Sequence, residues 1–271
     1  SQSNSMSKPS FESILLKDLH DPKLSSGSHT TPIYATSTYV YPSVEGAQKT
    51  FSGEEDAYIY NRWHNPGTDA VEKKLAMLEA YDLDQEAKAI MFSSGMAAIS
   101  AALEACLEPG GTIVTQGNLY GAADELMKHL SAQMNLNLKI IDVSDLDQVS
   151  DALNSTLNSS VLYLETPSNP TLNAYDIAAL SELAHQFDAK VLVDNTFATP
   201  YLQRPLALRA DVVIHSTTKF LNGHGTALGG VVVSSDLDWV DGPLNLQRKL
   251  KGATPSPFDA WLLNNGLKTL N

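Results

Sequence analysis

The chain has 271 residues, 43% of them hydrophobic, and 18 Lys and Arg against 31 Asp and Glu give a formal charge of −13. That balance excludes a general nucleic-acid binder, which needs basic surface to neutralise phosphates, and disfavours anionic membranes for the same reason. A single cysteine allows no internal disulfide and no apolar run approaches a membrane span, so the reading expects a cytoplasmic protein of roughly one to two domains.

Ser1 to Ser5, ahead of Met6, read as an expression remnant or a disordered start. Residues 1–60 lack a regular rhythm and are expected to form an extended arm with loops. From residue 69 helices and strands alternate. Val71, Leu75 and Leu78 trace one face of a helix over 69–81. Ala89 to Phe92 is a short buried run. Small residues from Gly95 to Leu107 suit a helix stopped by Pro109-Gly110-Gly111. Thr112 to Thr115 predicts a strand, Ala122 to Met134 a helix, and Leu138 to Val143 and Val161 to Glu165 strands around a helix near 145–157. Ile177, Leu180, Ala184 and Phe187 share a helix face. Val191 to Asp194, Val212 to Ile214 and Gly230 to Val233 complete the strands. Continuous apolar strands separated by helices imply an α/β fold, a mostly parallel sheet covered by helices on both faces.

Ligands of such sheets bind at the C-terminal strand ends, and here those ends are polar. Ser93-Ser94-Gly95-Met96 joins a buried run to a helix start, where free backbone N–H groups and the helix dipole can cradle a phosphate. Asp194 ends a strongly apolar strand, where a carboxylate is costly unless it caps a turn or meets a cation. Lys219 follows another apolar strand among Ser216, Thr217 and Thr218, and a partly desolvated lysine is a nucleophile towards carbonyls. Each feature alone fits a bland role: a helix cap, a turn cap, an exposed lysine. Together they fit pyridoxal phosphate, which needs a lysine, an acid at its ring nitrogen, a phosphate cradle and an aromatic on the ring face. Lys219, Asp194, Ser93 to Met96 with Ser216 and Thr218, and Tyr120 supply these roles.

Tyr60-Asn61-Arg62, Ser93 to Ala98, Leu119-Tyr120-Gly121, Glu165-Thr166-Pro167-Ser168-Asn169-Pro170, Val193 to Phe197 and His215 to His224 occur in this order. Their sequence resembles the Cys/Met-metabolism family of fold-type-I pyridoxal-phosphate enzymes, from about residue 28 to the last residue. That family includes cystathionine γ-synthases, cystathionine lyases, methionine γ-lyases and homoserine-ester sulfhydrylases. The resemblance implies that Lys219 is the Schiff-base lysine and proton carrier, and that Asp194 keeps the ring nitrogen protonated. It implies that Gly95, Met96, Ser216 and Thr218 grip the phosphate, that Tyr120 stacks on the ring and serves the leaving group, and that Asn169 contacts the 3-hydroxyl. Tyr60 and Arg62 would reach the phosphate of a neighbouring subunit in a homodimer or homotetramer. By the same resemblance 61–255 form the cofactor-binding large domain, and 256–271 begin a C-terminal domain that the chain, stopping at Asn271, leaves truncated.

Two positions depart from the family pattern: Gly67 stands in the usual Asn-Pro-Thr turn, and Thr226 where the lyases and cystathionine γ-synthases commonly carry Asp. The expected chemistry is γ-elimination or γ-replacement on a sulfur-containing or O-acylated homoserine amino acid, a small-molecule substrate with no nucleic-acid or membrane partner. The alternatives are an O-acetylhomoserine sulfhydrylase and a non-catalytic chain that binds the cofactor or dimerises. A nicotinamide dehydrogenase is excluded, because Gly223-His224-Gly225 lacks the third glycine of that fingerprint. The seven histidines show no zinc spacing, Cys106 reads as a packed thiol, and Trp63 as a residue of the subunit seam.

Overall fold

The computed structural model describes residues 8–271; the expectation for Ser1 to Ser5 lies outside them. Seven strands form one sheet in the order β1-β7-β6-β5-β4-β2-β3. They are β1 Lys88–Phe92, β2 Thr112–Gln116, β3 Asn137–Ile141, β4 Ser160–Glu165, β5 Lys190–Asp194, β6 Val212–Ser216 and β7 Gly230–Ser234. All pairings from β6 to β3 are parallel, whereas β7 runs antiparallel to both β1 and β6. The apolar run of β7 carries no mark of its direction. Residues 217–229, which join β6 to β7, form a loop without the helix that usually carries a parallel crossover, and β7 returns antiparallel beside β6.

Among the helices that accompany the strands are α1 Phe11–Leu16, α2 Val44–Ser52, α3 Pro66–Glu79, α4 Gly95–Cys106, α5 Gly121–Met134, α6 Leu146–Asn154 and α7 Ile177–His185. Alternate strand residues turn to opposite faces. Val212 and Ile214 of β6 pack with Phe92, Tyr163 and Leu192 under α4 and α5, while Val213 packs with Met91 and Val231 under α3. Val114, Leu162, Val191 and Val193 meet α6 and α7. Both faces of the central strands are therefore dry, which explains why those strands read as apolar runs without alternation, whereas the edge strand β3 stays partly exposed.

Residues 8–60 carry the helices α1 and α2 where the sequence suggests an extended arm with loops. Ser10 caps α1 by accepting the Ser13 N–H, and Phe11, Ile14 and Leu15 bury against α3. With only six residues, α1 is too short to show a helical period in the sequence. At the other end, Ala260 and Leu263 of the Pro257–Gly266 helix and the following Leu267 join the same cluster. Cys106 packs beside the α4 face of the core, and burial pushes its thiol up to about 12. Trp239 is buried and donates its indole N–H to the Ala105 carbonyl at 3.1 Å.

Candidate active site

The parallel register places the polar strand ends side by side: Glu165 of β4 is opposite Asp194 of β5, and Ser216 closes β6 beside Gly230 of β7. Against this edge stands the N-terminus of α4. Ser94 caps that helix, its Oγ accepting the Ala97 N–H at 3.1 Å. The first amides, Gly95 and Met96, have no intrahelical partner and are free for a ligand. The approach is close: a Cβ on Gly95 would lie 2.7 Å from the Ser216 Cβ, so only glycine lets the helix end reach this strand.

A cavity of about 240 Å³ opens over these ends. Gly95, Met96, Tyr120, Asn169, Asp194, Ser216, Thr218 and Lys219 all line it, and Ile99, Phe197 and Leu228 give it apolar walls. Eight of the ten residues singled out in the sequence thus meet in one space. Tyr60 and Arg62 do not line it. The Arg62 guanidinium lies 5.2 Å from the Tyr60 ring centre and donates to the Lys249 carbonyl. Trp63 sits under the Lys249 ammonium at 4.4 Å.

Asp194 is oriented by Thr196 and Tyr163. Its Oδ1 accepts both the Thr196 N–H, at 3.1 Å, and the Thr196 hydroxyl, at 2.6 Å. The Tyr163 hydroxyl donates to Oδ2 at 3.4 Å. Burial pushes the Asp194 carboxyl above the usual range, and the Thr196 hydrogen bonds and the neighbouring His215 imidazole oppose that rise. His215 is itself buried and pairs with the buried Glu79. Lys219 is carried by a tight loop: its carbonyl accepts the Gly223 N–H at 2.8 Å, and the Thr218 hydroxyl accepts the Gly229 N–H at 3.1 Å. Gly223 takes φ 75°, a left-handed conformation that favours glycine.

Two residues of the cavity escaped the sequence reading. Thr196 carries a readable signal, since an Asp followed two residues later by a bonded N–H is the local pattern of an Asx turn. Glu165 ends a strand and opens a motif in the sequence, with no role assigned to it. It is buried, lines the cavity, and its carboxyl is pushed up to about 7, with burial outweighing its hydrogen bonds from the Tyr120 and Asn169 N–H groups. No sequence signal joins it to those partners.

Residues 12–271 match the family described as Cys/Met metabolism PLP-dependent enzyme. The chain belongs to this family. An L-methionine gamma-lyase of Porphyromonas gingivalis is 42% identical over 245 residues, which are 90% of this chain and 60% of that protein. A cystathionine gamma-synthase of Mycobacterium tuberculosis is 41% identical over 92% of this chain and 60% of its own length. The solved cystathionine gamma synthase of Xanthomonas oryzae pv. oryzae, in complex with aminoacrylate and cysteine, superposes with a TM-score of 0.88 at 33% identity, covering 97% of this chain and 64% of that one. The chain spans about 60% of the length of the relatives it matches. Members of the Cys/Met-metabolism family depend on pyridoxal phosphate, and the residues present fit it. An amine, a carboxylate and a helix end with free amides converge on one cavity, and the absence of a Cβ at Gly95 lets that helix end approach Ser216. Among the described residues no helix is long and apolar enough to cross a membrane.

Proposed function

We propose that the protein catalyses γ-elimination or γ-replacement on a sulfur-containing or O-acylated homoserine amino acid, with pyridoxal phosphate held in the cavity over β4, β5 and β6. The observation that carries this reading is the convergence of Lys219, Asp194, Tyr120 and the α4 N-terminus on that one cavity. The names of the relatives, methionine gamma-lyase and cystathionine gamma-synthase, support the substrate class.

When bound, pyridoxal phosphate supplies an electrophilic carbonyl and a ring that takes up electron density from the substrate's Cα. Lys219 Nζ anchors the cofactor and moves a proton at Cα. The Asp194 carboxylate, oriented by Thr196, holds a proton on the ring nitrogen. The Gly95 and Met96 amides, at the positive end of the helix dipole, bind the phosphate with the Ser216 and Thr218 hydroxyls. Tyr120 covers the ring and moves a proton at the leaving group, and Asn169 meets the ring hydroxyl. Ile99, Phe197 and Leu228 exclude water from one wall. Tyr60 and Arg62, absent from this chain's own cavity, complete the phosphate site of a second subunit, so the working unit is a dimer or a pair of dimers of a cytoplasmic enzyme.

The test is a visible absorption titration with pyridoxal phosphate, followed by borohydride reduction and peptide mapping. The expected result is a visible band and a label on Lys219, both missing from Lys219→Ala. Methionine, cystathionine and O-acetylhomoserine are then supplied in turn. A 2-oxo acid with ammonia marks elimination, and, with a thiol such as cysteine added, a new thioether with release of the γ-substituent and without those products marks replacement. A wild-type protein that takes up no cofactor overturns the reading.

A further inference from the structure

Glu165 stands at the centre of a hydrogen-bonded unit to which no part of the proposed chemistry gives a role. Its main chain is clasped by Gln116 of β2: the Gln116 Nε2 donates to the Glu165 carbonyl at 2.8 Å, and the Gln116 Oε1 accepts the Glu165 N–H at 3.0 Å. The regular β2–β4 register ends at Thr115 and Tyr163, so this side chain extends the ladder to the cavity edge. The carboxylate then reaches two loops. Its Oε2 accepts the Tyr120 N–H at 3.0 Å and its Oε1 accepts the Asn169 N–H at 2.7 Å. Tyr120 is the N-cap of α5 and provides no side-chain cap, and the Glu165 carboxylate, bonded to the Tyr120 N–H, places a negative group at the positive helix end. Asn118 ties the same loops together, its amide donating to the Ser168 hydroxyl at 3.0 Å and accepting from the Tyr175 hydroxyl at 3.0 Å.

We propose that Glu165 is a positioning residue that acts through Tyr120 and Asn169, its two carboxylate oxygens setting the aromatic cover and the ring-hydroxyl contact as one piece. The proposal rests on the reading of this cavity as the pyridoxal phosphate site. Its chemistry depends on the ionised form. A carboxylate offers an acceptor to each N–H, whereas a carboxamide offers one acceptor and turns an NH2 donor to the other amide. The shorter aspartate keeps the charge but cannot span both loops. The charged and titratable groups around Glu165 are Asp194 from β5, Tyr163 from its own strand, the Tyr120 phenol and Lys219. With a buried carboxyl raised to about 7, loss of the hold falls within the range where enzymes are assayed.

The experiment compares wild type with Glu165→Gln and Glu165→Asp by cofactor affinity across pH, hydrogen exchange at the Tyr120 and Asn169 amides in the cofactor-free protein, and thermal midpoint. The expected result for Glu165→Gln is affinity about tenfold or more weaker, since a buried donor loses a charged partner. One of the two amides loses protection, the acid limb of cofactor binding disappears and the midpoint does not fall. Glu165→Asp should keep an acid limb while losing affinity. Wild-type affinity in Glu165→Gln, or weakened affinity with both amides still protected, overturns the proposal. So does a general loss of protection with a collapsed midpoint in both variants, which marks a merely structural carboxylate. A wild type that binds no pyridoxal phosphate overturns the site reading and this proposal together. That result is distinct, because failure of the proposal alone leaves wild-type uptake intact.

Discussion

Thr196 joins the ends of two strands through one hydroxyl: it donates to Asp194 Oδ1 at 2.6 Å and accepts the Ser216 N–H at 2.9 Å. The carboxylate proposed for the ring nitrogen and the residue proposed for the phosphate are therefore held at a fixed separation by a single side chain.

Thr196→Val removes both bonds with almost no change of shape. Asp194 loses the partner that most opposes the effect of burial, so its carboxyl rises further and the acid limb of cofactor binding moves to higher pH. Affinity should fall about tenfold, the worth of a hydrogen bond to a charged group. Thr196→Ser, which keeps the hydroxyl, should stay near wild type. An absorbance titration at several pH values checks both.

Glu165 also sets a sign for stability against pH. Its carboxyl is raised from 4.5 to about 7 by burial, so between those values the folded chain binds more protons than the unfolded one. This group's contribution is full below pH 4.5 and is lost as pH rises through about 7. The loss is on the order of 3 kcal/mol. Urea midpoints of cofactor-free wild type should fall across this window relative to Glu165→Gln.

The Arg248 guanidinium is buried and pairs with the buried Glu72, while also donating to the Met91 and Trp63 carbonyls, the latter at 3.1 Å. It fastens the segment carrying Tyr60 and Arg62 to α3 and β1. Arg248→Met strands the Glu72 carboxylate and should cost about 3–5 kcal/mol in urea unfolding. Adding Glu72→Gln should restore part of that loss.

If Arg62 serves the neighbouring subunit, two inactive variants should complement each other. Lys219→Ala and Arg62→Ala, each inactive alone, are unfolded and refolded together. Half the dimers are then mixed, and one site in each mixed dimer carries neither lesion. Activity should return to about a quarter of wild type, the fraction a two-fold symmetric dimer dictates. An absence of recovery would place Arg62 outside the neighbour's site.

The sequence by itself determined the alternation of strands and helices, and it determined that Lys219, Asp194 and the Gly95 turn follow apolar runs. These are local properties, written in the spacing of apolar side chains and in the residues that end them. A parallel sheet brings its strand ends to one edge, so position along the chain was enough to bring Lys219, Asp194, Tyr120 and Asn169 together. Other features were decided only by tertiary structure. The antiparallel β7, the burial of the short α1, the Glu72–Arg248 pair across 176 positions and the Gln116 clasp on Glu165 across 49 have no local trace. Each depends on which groups the folded backbone makes neighbours. A buried carboxylate reads the same in a sequence whether it faces an arginine, as Glu72 does, or two backbone amides, as Glu165 does. The partner fixes its role, and only packing supplies the partner.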